Sequence, residues 1–372
     1  MIDFLDGNDA VVQGALDAGC DFFAGYPITP ATPILLSMMS QLPDRGGVAI
    51  QGEDEIASIG FCIGAAMSGK KALTATSGPG MSLYSENIGL AIMGEVPLVI
   101  VDVQRLGPAT GSATKDASGD IQFVRWITSG GYPVIALSPS SVEDCYQLTR
   151  EAFRLAWQFR TPVFIMSSKE LAQTRVKVDR NRMTTLTAPS VKESIPASGN
   201  GKMVSYSNDH PVPPQPVGSP FLTRFTGSSH DESGQLTKSP AILASLHQHL
   251  MTKLDEKTCT FYEYHGPEVP RNLIVCYGVV ARSARQAWQE AGDSDLGLLI
   301  LKTLWPVPET LLSHYMKHAD KIWVPEMNQE QYARELKMLA RPGQEIIPIT
   351  QVNSELIHPS LILNALREVS HV

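Results

Sequence analysis

The feature that most constrains this chain is a repeated alternation of short, almost continuously apolar runs with helical patterns. Residues 22–24, 48–51, 72–76, 97–103, 134–137 and 162–167 read as strands, and residues 10–18, 33–42, 54–68, 81–93 and 141–159 read as helices around and between them. A strand that is apolar on both faces must be covered on both, and intervening helices supply that cover, so the pattern predicts a parallel sheet in an α/β fold. Asn8 and Gly19 suit the two ends of the first helix, and Ser140 to Glu143 has the spacing of a capping box. The alternation returns with strands at 273–280, 296–301, 322–325 and 346–350 and helices near 282–291 and 308–319. At 372 residues there is room for about two domains of roughly 150 residues. The expected fold class is therefore α/β, with two doubly wound parallel-sheet domains.

Between them, from about Thr174 to Ser219, the periodicity stops and Pro211, Pro213, Pro214, Pro216 and Pro220 crowd together, which reads as a partly extended linker. The division expected is 1–175 for the first domain, 176–265 for linker and connecting region, with one helix near 240–254, and 266–372 for the second domain. The formal net charge is −8, which argues against a nucleic-acid partner, since that needs a basic face. Five scattered cysteines form no CxxC pair, so no zinc ribbon or iron–sulfur site is expected on this chain. The first residues lack the basic-then-apolar order of a signal peptide and no apolar run approaches 18 residues, so a cytoplasmic protein with no membrane association is expected. All nine histidines stand at His210 or later. Chemistry in the first half must use carboxylates, arginines, hydroxyls or a borrowed cofactor.

In doubly wound sheets ligands bind beyond the carboxyl ends of the strands, where four loops of this chain should converge. The first, Gly25-Tyr26-Pro27-Ile28-Thr29-Pro30, is stiffened by two prolines around a hydroxyl. Its bland reading is a turn in which Thr29 caps the next helix. The second, Gly52-Glu53-Asp54-Glu55, puts three acids in a first helical turn, which the helix dipole alone would explain. Glu55, however, opens an apolar, small-residue helix of the kind that buries on all sides, so its carboxylate could face a dry pocket. The third, Ser77-Gly78-Pro79-Gly80, could offer backbone amides to an anion but is not a full dinucleotide or Walker pattern. The fourth places Arg105 at a strand end before Thr110, Ser112, Thr114 and Lys115, a planar guanidinium among hydroxyls that suits a substrate carboxylate. The bland alternative is a surface arginine in a solvated loop.

Taken together, the stretches 25–32, 53–60, 74–80 and 104–111 resemble, in order and spacing, the α subunit of 2-oxoacid:ferredoxin oxidoreductases, closest to the 2-oxoglutarate:ferredoxin (2-oxoglutarate synthase) type. Thr226 to Gly234 resembles the family's Thr-Gly-x-x-His-x-Glu-x-Gly stretch. Pro325-Glu326-Met327-Asn328 with Gln331 resembles its Pro-Glu-x-Asn-x-Gly-Gln segment, with Glu330 where Gly is usual. The resemblance implies a pyrimidine-side domain for thiamine diphosphate and a transketolase C-terminal-like domain. It further implies that a β subunit supplies Mg²⁺, diphosphate contacts and a [4Fe-4S] cluster in an (αβ)₂ assembly acting with coenzyme A and ferredoxin. Residue by residue, it implies that Glu55 hydrogen-bonds N1′ of the aminopyrimidine, and that Tyr26, Pro27, Ile28, Ser77 and Gly78 contact the cofactor. Thr29, Arg105, Thr110 and Thr114 would bind the 2-oxoacid. No metal ligand is expected on this chain.

Where the family commonly has Thr-Gly-Leu-Pro-Thr-Lys-x-Glu-Gln-Gly-Asp, this chain keeps Thr114, Lys115 and Asp120 but carries Ala113, Ala117 and Ser118. This alters the stiffness and charge of a loop over the substrate. The 2-oxoglutarate reading stands first, with pyruvate and branched-chain 2-oxoacids behind it. Two other classes compete: a dinucleotide-dependent oxidoreductase, for which no strand-linked GxGxxG appears, and an inactive binding subunit, against which Glu55 and Arg105 argue. Around His230 a hydrogen-bonded connector is expected ahead of a catalytic role.

Overall fold

Apolar strands and intervening helices of the first half build one sheet. The computed structural model describes residues 2–179, 206–207, 216–218 and 223–368. Its first half runs β1 (Ile2–Leu5), α1 (Gly7–Asp17), β2 (Phe22–Gly25), α2 (Thr32–Gln41), β3 (Val48–Gln51), α3 (Glu55–Met67), β4 (Ala72–Thr76), α4 (Gly78–Met93), β5 (Leu98–Gln104), α5 (Ile121–Arg125), β6 (Ile135–Leu137), α6 (Val142–Phe159), β7 (Pro162–Ser168), α7 (Lys169–Gln173) and β8 (Val176–Asp179). After the connecting region come α8 (Pro240–Thr252), α9 (Glu256–Cys259), β9 (Tyr262–His265), β10 (Asn272–Tyr277), α10 (Val280–Ala291), β11 (Leu296–Leu301), β12 (Thr303–Trp305), α11 (Glu309–Met316), β13 (Lys321–Glu326), α12 (Ala333–Leu339), β14 (Glu345–Thr350) and α13 (Pro359–Glu368).

The first sheet has the order β12-β6-β7-β5-β4-β2-β3 and is parallel throughout except for β12, which lies antiparallel on β6. Strands β3, β2, β4 and β5 are consecutive neighbours, so the four loops leave the sheet side by side from one edge. The second sheet has the order β14-β13-β10-β11-β9, with only β9 antiparallel. Pro348, which cannot donate to a ladder, sits in its outer strand β14.

The middle strand β5 is buried along its whole length, and its alternate residues face two different cores. Val99, Val101 and Val103 join the core under α1, α2 and α6, whereas Leu98 and Ile100 join one shared with α3 and α4. That second core continues into Leu273, Val275, Leu299 and Leu301 of the second sheet. The two units are thus packed on common apolar ground rather than merely tethered. Strand β12 adds to this: after β11 the chain passes Lys302 and pairs with β6 of the other sheet.

Several local expectations change. The first helix is capped by Asp6, whose carboxylate accepts from Asp9 N–H at 2.9 Å. Asn8 is buried inside the helix and donates to the Pro30 carbonyl at 3.2 Å, tying α1 to the first loop. The cap of α6 is Ser141, one residue later than the capping-box spacing suggested, and it accepts from Asp144 N–H at 3.0 Å. Within the stretch read as linker, Val176–Asp179 is a strand that pairs antiparallel with β1. Alternation of Val176 and Val178 with charged residues could have signalled it. Pro211, Pro213, Pro214 and Pro220 lie outside the described residues. Helix α3 is not buried on all sides: Ile56 is 50% and Phe61 43% exposed, beside Gly60 and Gly64.

Candidate active site

Strand ends position every element of the site. Gly52 N–H donates to the Gly25 carbonyl at 3.0 Å, joining the first two loops. Asp54 caps α3 by accepting from Ala57 N–H at 2.7 Å. Its neighbour Glu55 turns inward, is 7% exposed, and receives no hydrogen bond from any described residue. Capping therefore accounts for Asp54, whereas Glu53 is exposed and Glu55 is not explained by the helix dipole. Glu55 is set against α4 by a glycine. A Cβ on Gly80 would lie 2.0 Å from Thr76 Oγ1, 2.8 Å from Glu55 Cγ and 3.0 Å from Glu55 Oε1. Only a residue without a side chain lets the acid enter there. Ser77, which precedes α4, is buried and its Oγ has no partner.

The fourth loop delivers Arg105. It is 7% exposed, which excludes the solvated-surface reading. Its Nη1 donates to the Thr29 carbonyl at 2.6 Å and its Nη2 to the Thr110 carbonyl at 3.1 Å, while Nε is buried without a partner. One guanidinium thus clasps the first and fourth loops and retains unshared N–H capacity and its full charge. Thr29 does not cap α2: that helix begins at Thr32 with no side-chain cap bond. The Thr29 and Thr110 side chains are exposed at the same edge, together with Tyr26 and Pro27 and with Ile28 half-buried. Thr114 is exposed in the same loop but shares no hydrogen bond with Arg105 or Thr29.

The second sheet holds that loop from below. Asn328 Nδ2 donates to the Ser118 carbonyl at 2.8 Å and to Tyr277 Oη at 2.7 Å, and Ser118 N–H donates to the Met327 carbonyl at 3.0 Å. Gln331 Nε2 donates to the Gly119 carbonyl at 2.8 Å. Glu326 is buried and accepts from Tyr332 N–H, Ala333 N–H and Tyr277 Oη, each at 2.8 Å. The Pro325 to Gln331 segment is therefore a clamp on the fourth loop, a role its resemblance alone did not reveal. Glu330 has φ 57, the left-handed region in which glycine is unstrained, and its carboxylate pairs with Lys337 at 2.8 Å. Under the loop, burial first and Glu170 second push the Asp116 carboxyl up to about 7.

By contrast His230 packs on Tyr206 with ring centroids 4.0 Å apart and bonds the Ser228 carbonyl through Nδ1 at 2.8 Å. Tyr206 Oη in turn donates to the Gly94 carbonyl, at the far end of α4. Sixteen residues at 1.5 Å each put that end about 24 Å from Gly78, so this stretch serves the fold. Among the described residues no group of three or more His, Cys, Asp or Glu side chains could hold a metal ion, and the five cysteines are buried and free. No described helix is long and apolar enough to cross a membrane.

An unpartnered buried carboxylate, an orphan serine hydroxyl and a glycine cradle at the carboxyl edge of a parallel sheet fit the aminopyrimidine side of thiamine diphosphate. Fold and site thus define an α/β protein of the thiamine diphosphate-binding class. Residues 13–240 match the family model described as pyruvate flavodoxin/ferredoxin oxidoreductase, thiamine diphosphate-binding, and residues 271–362 match pyruvate:ferredoxin oxidoreductase core domain II. The chain belongs to the 2-oxoacid:ferredoxin oxidoreductase family. It is 39% identical over 362 residues to 2-oxoglutarate synthase subunit KorA of Methanocaldococcus jannaschii, covering 96% of this chain and 97% of that one. To the ketoisovalerate oxidoreductase subunit VorB of Methanothermobacter thermautotrophicus it is 30% identical, covering 98% and 97%. A solved 2-oxoglutarate:ferredoxin oxidoreductase from Magnetococcus marinus, with 2-oxoglutarate, coenzyme A and succinyl-CoA bound, superposes with a TM-score of 0.87 at 31% identity. That match covers 99% of this chain but 65% of the solved one, so the present chain spans just under two thirds of it.

Proposed function

We propose that this chain is the α subunit of a coenzyme A-dependent 2-oxoglutarate:ferredoxin oxidoreductase of the cytoplasm. The overall reaction takes 2-oxoglutarate and coenzyme A to succinyl-CoA and CO₂, with two electrons passed to ferredoxin, or runs in reverse. One observation carries the site assignment: buried Arg105 joins the Thr29 and Thr110 loops at the same carboxyl edge of the sheet at which Glu55 keeps a buried, unpartnered carboxylate. Higher identity to the 2-oxoglutarate synthase subunit than to the ketoisovalerate subunit supports 2-oxoglutarate over branched-chain substrates.

Bound thiamine diphosphate would supply a carbanion nucleophile and an electron sink for decarboxylation. Glu55 would hold the cofactor's N1′ through a hydrogen bond in a dry site, where a carboxylate is a stronger partner than in water. Tyr26, Pro27, Ile28, Ser77 and Gly78 would line the cofactor, with the first amides of α4 adding positive potential. Arg105 would bind the 1-carboxylate, and the hydroxyls of Thr29, Thr110 and Thr114 would orient the 2-oxo group and the adjoining chain. The partner β subunit would bring Mg²⁺, the diphosphate contacts and the [4Fe-4S] cluster in an (αβ)₂ assembly. The exposed stripe Ile56, Gly60, Phe61 and Gly64 on α3 and Leu83 on α4 gives it an apolar seat next to Glu55.

The test is co-expression with a chain carrying four suitably spaced cysteines and a Gly-Asp-Gly motif. Ferredoxin or viologen reduction is then followed on a panel of 2-oxoacids with coenzyme A. The highest kcat/KM is expected on 2-oxoglutarate. Preference for pyruvate or a branched-chain acid would replace the substrate, and no reduction with any of them would overturn the reading.

A further inference from the structure

One charged residue interrupts the apolar middle of the central strand. Asp102 in β5 is fully buried, and neither of its carboxyl oxygens has a hydrogen-bond donor. Asp120 lies within hydrogen-bond reach of it. Gln104 holds Asp120 there, accepting from Asp120 N–H at 3.2 Å while its own amide donates to the Ser167 carbonyl at 3.2 Å. Asp120 Oδ2 is also buried without a donor. Three buried acceptor atoms of this neighbouring pair thus have no hydrogen between them. Two carboxylates so placed cannot both keep their charge, and a single proton satisfies both.

Among the described residues nothing in register with Asp102 on the neighbouring strands compensates its charge. Neighbouring strands place Thr76 of β4 and Met166 of β7, both neutral, in register with Asp102. On the α4 side stands Gly78, where a Cβ would lie 3.0 Å from Asp120 Oδ2, so the carboxyl rests against the first turn of that helix. The cation whose charge reaches Asp120 is Arg105. We propose that Asp102 is a carboxylic acid donating its proton to Asp120, and that this pair, with a single negative charge, is the positioning element against which Arg105 is held for a substrate carboxylate. Burial and mutual repulsion keep Asp102 well above the usual carboxylate range, in agreement with that placement.

The second half of the proposal rests on Arg105 being the carboxylate binder of the reading above. If the shared proton is lost at high pH, the pair carries two negative charges behind Arg105. The guanidinium is then drawn to the pair and the anionic substrate is repelled.

Asp102→Asn tests this, because its amide donates the same hydrogen bond without the second charge. Melting of the full-length chain is measured from pH 5 to 9. A folded-state carboxyl held above its unfolded value contributes a destabilisation that sets in above about pH 4 and grows until the folded form also ionises. The melting temperature of D102N relative to wild type should therefore climb with pH. A D102N variant that is less stable than wild type by the same amount at every pH would overturn the shared proton. Should D102N fail to fold, D120N, whose amide donates to Asp102 instead, should show the same climb, and a flat difference there refutes the pair. In the assembled enzyme, KM for 2-oxoglutarate should rise roughly tenfold per pH unit once the proton is lost in wild type, and stay flat in D102N. Equal alkaline limbs in both would overturn the link to Arg105. An inactive wild-type assembly would refute the functional reading while the melting series still decides the pair.

Discussion

Gly80→Ala probes the close contact that seats Glu55. The added Cβ would stand 2.0 Å from Thr76 Oγ1, 2.8 Å from Glu55 Cγ and 3.0 Å from Glu55 Oε1, distances that no relaxed structure keeps. Thr76 belongs to a fully buried strand, so the displacement falls on Glu55, whose side chain has no hydrogen bond to hold it. Alanine is the better helix former by about 0.8–1 kcal/mol, whereas overpacking costs about 1–3 kcal/mol. A net loss of up to about 2 kcal/mol follows, or at most roughly 2–3 °C in melting temperature at about 2.1 cal/mol/K of unfolding entropy per residue over 372 residues. Turnover should fall much further, since a misplacement of about 1 Å in a reacting group can cost on the order of 10²-fold. Melting of the chain is read beside viologen reduction by the assembled enzyme. Gly64→Ala is the stability control, because a Cβ there meets nothing within 4 Å and should stabilise the free chain by about 0.5–1 kcal/mol. A Gly80→Ala enzyme with wild-type turnover would refute the argument that this glycine seats Glu55.

Glu55→Gln should lower turnover by roughly 10²- to 10⁴-fold with little change in melting, and near-normal activity would remove Glu55 from the chemistry. Arg105→Ala should weaken the substrate interaction by about 1.5–3 kcal/mol, read as apparent affinity, whereas Arg105→Lys keeps the charge but not the two-carbonyl clasp and should recover only part of it. Glu95, on the far side of the sheet, is buried with His249 at 3.1 Å and Lys253 at 3.2 Å. Burial opposes its ionisation, but Lys253, His249 and Arg160 prevail and hold it down at about 2 from the usual 4.5. The stability it contributes is complete above about pH 4.5 and fades as pH falls toward 2. Glu95→Gln should cost about 3–5 kcal/mol at pH 7 and flatten that acid limb in pH-dependent urea unfolding, and an unchanged limb would assign it to other groups. Asn328→Ala removes two bonds from buried partners and should cost about 1–3 kcal/mol of stability, checked by chemical denaturation.

Most of the fold was legible because its strands are apolar on both faces, a signal that survives without neighbours. Elements that failed to announce themselves are those whose partners are distant in sequence. β12 is only three residues long, directly follows Lys302, and pairs with β6 more than 160 positions earlier. β8 is short and pairs with the first strand of the chain. At the site, the four loops were readable as motifs, yet the contacts that organise them were not. The Arg105 clasp uses backbone carbonyls of Thr29 and Thr110, which carry no side-chain signature. Gly80 read as an amide-rich turn, and only the position of Glu55 shows it to be a seat. Asp102 could have been found: an acid within Val99-Ile100-Val101-Asp102-Val103 has no bland explanation in a central strand.

The departures in the fourth loop now have a location. Ala117 is 4% and Ser118 9% exposed, and Ser118 bonds Met327 and Asn328 of the second unit through its backbone. Thr110 and Thr114, on the other side of the loop, remain exposed at the edge shared with Thr29. Replacing Glu and Gln of the common pattern by Ala117 and Ser118 therefore alters the buried underside, where small residues let the loop settle onto the Pro325 to Gln331 clamp. At its exposed edge the loop presents Thr110, Thr114 and Lys115, which it has kept, with the third departure, Ala113, half-buried among them. A second unit welded to the first through one core and gripping the loop through Asn328 and Gln331 explains why the chain needs both sheets. The first supplies Arg105 and Glu55, and the second fixes the loop whose carbonyl Arg105 grasps.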